Sequence, residues 1–170
     1  MRSLLGAAIE EEADLTLVDM EAGLEHLSRS GGTLAYADVL LMVMEPSRKS
    51  ILTAQRTLHL ADELGIPKSY GVGNKARLPE DAEFFRTVAA EYGVPLAGIV
   101  PHDAEVVEAD RSNHVLGPGQ ALAVRKVVAE IASVVDATVA AGNGADAERE
   151  ALLREREKVD ARLAQLQQAD

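Results

Sequence analysis

At 170 residues the chain has room for one domain with a sizeable core and an appendage, but not for two full domains. Hydrophobic residues make up 47% and charged residues 26%, as in an ordinary soluble globular protein. The formal net charge of −11 excludes a nucleic-acid surface as the main business, and the absence of cysteine excludes a disulfide framework or a thiolate metal site. Aromatics are only 3%, without Trp, so Val, Leu, Ile, Ala and Met must build the core. Met1 to Glu12 does not read as a signal peptide, and no apolar run approaches the ~20 residues of a membrane-spanning helix. The expectation is a cytoplasmic soluble protein.

In chain order, Ser3 to Ala13 reads as a short helix with Leu4, Leu5, Ala8 and Ile9 on one face. Leu15 to Asp19 is an apolar run of strand length that stops on an acid, with Gly23 four residues later. In α/β proteins such strand ends carry ligand-binding groups, and the plain alternative is a buried strand with a solvated acidic turn. Glu25 to Ala37 reads as loop. Asp38 to Met44 is an unbroken apolar run, expected as a strand buried on both faces and closed by Glu45-Pro46.

Ser47 or Ser50 can cap a helix to Leu64, with Ile51, Ala54, Leu58, Ala61 and Leu64 on one stripe and Gly65 as its stop. Ser69 to Gly73 is a third short strand ending in Asn74-Lys75. Pro79, with Glu80, Asp81 and Glu83 in the first turn, opens a helix to about Glu91. Pro95 to Val100 is a fourth strand, closed by Pro101-His102-Asp103. Gln120 to Val139 is a longer helix whose seam of Val124, Val127, Val128, Ile131 and Val135 should lie on a sheet. Strand and helix thus alternate with short connections, the pattern of a mostly parallel sheet flanked by helices.

After the break at Ala141-Gly142-Asn143-Gly144, Asp146 to Gln168 reads as a charged helix. Leu152, Val159 and Leu166 recur every seven residues, but Arg149 and Arg156 occupy companion positions, so a solvated tail helix is favoured over a dimer zipper. The expected division is an α/β domain over 1–141, a linker over 142–145 and a tail helix over 146–170.

Four blocks carry a resemblance. They are Asp19-Met20-Glu21-Ala22-Gly23-Leu24-Glu25-His26, Glu45-Pro46-Ser47, Gly73-Asn74-Lys75, and Ile99-Val100-Pro101-His102-Asp103 with Glu108-Ala109-Asp110. In this order they resemble the carboxy-terminal half of the CooC-type ATPases, MinD/ParA-like P-loop proteins that help load nickel into carbon-monoxide dehydrogenase. The similarity runs over about Arg2 to Val139 and implies a partial P-loop NTPase fold binding ATP or ADP with Mg²⁺. It implies that Asp19 holds the Mg²⁺ water shell and that Glu21, Ala22 and Gly23 form the loop that senses the γ-phosphate. It further implies that Asn74 hydrogen-bonds the adenine edge, that Lys75 flanks the base, and that Pro101, His102 and Asp103 wall the pocket. The residue chemistry agrees, since an asparagine offers both donor and acceptor to adenine's mixed edge. Each also has a plainer reading: Asn74 as a loop cap, Pro101 as a strand terminator, Asp103 as the cap of a short helix.

The departures are equally specific. No G-x-x-x-x-G-K-[ST] phosphate loop occurs in the sequence, and Gly71-Val72-Gly73-Asn74-Lys75 has the wrong length and lacks the hydroxyl residue. The family's Cys-x-Cys has no counterpart. The chain therefore reads as half of such a protein, not hydrolysing ATP without a phosphate-loop half, whether a separate polypeptide or sequence lost upstream; that half or a homodimer partner is the expected companion. Without the phosphate-loop strand, Leu15–Asp19 is expected either to pair directly with Asp38–Met44 or to leave an open slot. His26, His59, His102 and His114 show no converging ligand spacing, so no transition-metal site is expected, and His59 reads as a surface residue. The implied client is a metalloenzyme such as carbon-monoxide dehydrogenase. The competing expectation is an interaction module that keeps the fold without nucleotide.

Overall fold

A computed structural model describes residues 16–20 and 37–142. The expected helix at Ser3–Ala13, the loop residues Glu21, Ala22 and Gly23 with His26, and the tail helix lie outside the described residues. Three strands, β1 (Val39–Met44), β2 (Lys68–Ala76) and β3 (Leu96–Pro101), form one parallel sheet in the order β1-β2-β3. Helices α1 (Arg48–Glu63) and α2 (Pro79–Glu91) make the two crossovers; α3 (Ala104–Ser112) and α4 (Leu122–Gly142) follow β3. The chain has the expected α/β class, a parallel sheet flanked by helices.

Helix boundaries follow local chemistry. Ser47 is the N-cap of α1, its Oγ accepting from the Ser50 amide at 3.2 Å, while Ser50 Oγ accepts from the Glu45 amide at 3.0 Å. Both serines therefore serve the same turn. Gly65, at φ +76°, takes the left-handed turn after α1, and Gly93, at φ +68°, does so after α2. Pro79 begins α2, and the Asp81 carboxylate accepts from the Arg77 and Leu78 amides at 2.7 and 3.0 Å, satisfying two donors ahead of the helix.

One face of the sheet carries α1 and α2. Met42, Met44, Ile51, Ala54, Phe85, Val88, Ala89 and Val94 form its buried cluster, with Phe85 and Ile51 fully enclosed. The helices are tied by Arg48, which donates to both oxygens of Glu91 at 3.0 and 3.1 Å, and by Gln55 Nε2 donating to the Tyr92 carbonyl. Helix α4 lies on the other face, chiefly over β3. Gly98 makes that approach possible: a Cβ there would sit 2.8 Å from Ile131 and 3.3 Å from Val127. Gly71 and Gly73 serve the first face in the same way, a Cβ at Gly73 meeting the Phe85 ring at 3.0 Å. These glycines leave room for the core.

Three expectations need correction. Residues 16–19 form no strand, and the chain pairs β1 with β2 alone among the described residues. Leu17 is 85% exposed, whereas Met20 packs beside Leu40, Leu60 and Leu64 against Ala61 and Ile66. An apolar run without a neighbouring ladder has no partner for its backbone, so it stays irregular. Second, β1 is buried on one face only: Met42 and Met44 are enclosed but Val43 is 66% exposed, because α4 covers β3 more than β1. Third, Val128 is exposed and falls off the α4 seam, which Val127 and Ile131 carry onto Gly98.

Candidate functional site at the carboxyl edge of the sheet

The three strands point their carboxyl ends to one edge, where open parallel sheets place their ligands. Register brings Asn74 and Lys75 beside Pro101 and His102 there, but not Asp19. Met44 aligns with Gly73, so Glu45 stands at the level of Asn74, and Ala76 aligns with Pro101. The His102 amide donates to the Ala76 carbonyl at 2.7 Å, extending the ladder one step past β3. Asn74 and Lys75 thus lie between Glu45 on one side and Pro101-His102-Asp103 on the other.

The ladder is broken at that point. β2 takes three residue steps from Gly73 to Ala76 against two on β3 from Ile99 to Pro101, which makes a bulge containing Asn74 and Lys75. Lys75 adopts the left-handed conformation, φ 60°, at a cost on the order of 1 kcal/mol for a residue with a Cβ. Bulges re-aim side chains and recur beside functional sites. Asn74 Oδ1 accepts from the Lys75 amide at 2.9 Å, holding the bulge, and its NH₂ has no partner among the described residues. The Lys75 ammonium reaches back to Glu45 Oε1 at 2.6 Å. That ammonium holds the Glu45 carboxyl below its ordinary range, first by the hydrogen bond and then by charge.

Asp103 takes the plainer of its two roles in this structure. Its Oδ1 accepts from the Glu105 amide at 2.8 Å as the N-cap of α3. His102 is half-buried beside it, and His59 is an exposed residue of α1, the surface position expected. Asp19 is exposed in the irregular segment before Met20. No three His, Asp or Glu residues gather into a metal-binding group among the described residues. One exposed carboxylate does not make a Mg²⁺ site, so no step is assigned to that ion. The groups at this edge are the Asn74 amide, a donor, the aliphatic stem of Lys75 and the rigid apolar ring of Pro101. Sequence reasoning passed over Glu45 as a functional residue. Its signal was an acid directly after an apolar run, one strand away from a lysine that stands one residue further on.

No family model matches the chain. It is 35% identical over 112 residues to the carbon monoxide dehydrogenase accessory protein CooC of Rhodospirillum rubrum, covering 66% of this chain and 41% of that protein. The likeness is to CooC-type proteins. Two uncharacterised ATP-binding proteins of Methanocaldococcus jannaschii share it. One is 38% identical over 111 residues, covering 65% of this chain and 42% of the relative. The other is 36% identical over 104 residues, covering 60% and 40%. The chain therefore spans about two-fifths of the length of these relatives. No helix among the described residues is long and apolar enough to cross a membrane.

Proposed function

We propose that this chain supplies the base side of an adenine-nucleotide site in a CooC-type ATP-binding protein. The observation that carries the reading is the bulge that sets Asn74 and Lys75 beside Pro101 and His102 at the carboxyl edge of a parallel sheet. It occurs in a chain whose relatives are named as ATP-binding or as CooC. Asn74 reads the base edge, Lys75 lies along the base, and Pro101 with His102 closes the far side. Asp103 contributes by fixing the start of α3. These residues hold no phosphate loop, so on their own they offer the triphosphate no cradle of amides and lysine, and hydrolysis needs a phosphate-loop half. Asp19, Glu21 and Gly23 join the site only once a phosphate-loop half completes it. The role served is accessory to a metalloenzyme, with nickel insertion into carbon-monoxide dehydrogenase as the named case, and the compartment is the cytoplasm. The domain over 1–141 carries this work, joined by 142–145 to the tail helix.

The test is a thermal melt of the full chain with and without millimolar Mg-ATP or Mg-ADP. At ten times its Kd, a ligand of the native state adds about 1.4 kcal/mol, a shift of several degrees. An upward shift with nucleotide is the expected result. A cooperative melt that nucleotide leaves in place contradicts it and favours the second reading, an interaction module independent of nucleotide. That reading draws on one observation: among the described residues β1 pairs on one side only, and an unpaired strand edge is where another chain can add.

A further inference from the structure

Lys75 could answer a nucleotide in two ways, by its charge or by its stem, and the structure indicates which. Its ammonium is already engaged by Glu45 at 2.6 Å. Glu45 is itself fixed, its amide donating to Ser50 Oγ and its carbonyl accepting from the Ser47 amide at 2.7 Å. The anchor is thus the first turn of α1, a rigid element packed on the core through Ile51 and Ala54. On the other side the Lys75 backbone is held left-handed by the bulge, with its amide given to Asn74 Oδ1. Both ends of the lysine are pinned, and the part left to face a ligand is the methylene chain.

We infer that Glu45 is a positioning residue for base recognition: it draws the Lys75 ammonium across the tips of β1 and β2, so that Lys75 presents its stem to the base while Asn74 presents its amide. The inference rests on the nucleotide reading above and adds a residue that acts only through Lys75. It also assigns the lysine to the neutral part of the ligand and not to the phosphates. Freed from Glu45, the side chain regains rotamer freedom and swings a charge over the site, which costs both ordering and selectivity.

The probe is adenosine, a neutral nucleoside on which a change of charge at position 45 has no direct Coulomb effect. Affinities for adenosine and guanosine are measured by amide NMR titration of the full chain as wild type, Glu45→Gln, Lys75→Met and the double variant. An exposed charge pair couples weakly, so Glu45→Gln should weaken adenosine by about two- to fivefold. It should also narrow the preference over guanosine. In the Lys75→Met background the same change should have no further effect, because the residue through which Glu45 acts is gone. An equal loss in both backgrounds, or no loss in either, overturns the inference while leaving the nucleotide reading in place. Absence of wild-type binding to both adenosine and ATP overturns that reading and this inference with it. A ligand-free readout stands beside these: the Glu45 carboxyl should titrate below the ordinary range in the wild type and return to it in Lys75→Met. A carboxyl that titrates identically in both overturns the pairing itself.

Discussion

At the scale of single residues, the site is held by small, exposed interactions that depend on backbone geometry. Asp81 shows the principle outside the site. Two amides, those of Arg77 and then Leu78, hold its carboxyl below the ordinary carboxylate range. A group with a lowered folded pKa binds protons less readily when folded than when unfolded. Its stabilisation is therefore complete above the ordinary value near 3.8 and is lost as pH falls through the lower folded value. Asp81→Asn should lower the melting temperature at pH 7, and its stability should fall less on acidification than that of the wild type. Melts of the two proteins from pH 7 to pH 2 check this, and parallel curves would remove Asp81 from the account. The residue is legible in sequence as an acid in the first turn after Pro79. Lys75 is not: no propensity marks a lysine for a positive φ, which here comes from the mismatch of register between β2 and β3.

At the scale of elements, periodicity and caps carried the reading well where an element packs locally. The stripe through Ile51, Ala54 and Ala61, the serine caps of α1 and the start of α2 at Pro79 are all visible in the residues. Sequence failed where burial depends on what lies across the sheet. Leu15–Asp19 and Asp38–Met44 look alike as apolar runs, yet only the second has a neighbouring strand to pair with among the described residues. Val128 and Val127 are equally apolar, and only the position of β3 decides which is covered. Gly98 was silent in sequence because its role is to be absent: the space a Cβ would fill is held by Ile131. Gly98→Ala should force α4 off β3 and cost about 1–3 kcal/mol, the range for overpacking a filled site. Chemical denaturation measures this, and an unchanged midpoint would show that α4 accommodates the methyl freely.

At the scale of the whole molecule, the fold class and the edge that carries the candidate site were readable from alternating strands and helices. The strand-end blocks gave the residues but not their arrangement. The bulge and the Glu45–Lys75 pair follow from how strands of different length align, whereas the Asp103 cap was one of the two roles its position offered. The central claim is that the base of an adenine nucleotide sits against β2 and β3 at that edge. The most direct measurement is an amide NMR titration of the full chain with Mg-ADP. Shifts centred on Gly73, Asn74, Lys75 and His102 are the expected result. Shifts gathered instead around the opposite end of β3, where Arg86, Gly93 and Val94 line an apolar groove, would contradict it, as would a spectrum that ADP leaves unchanged.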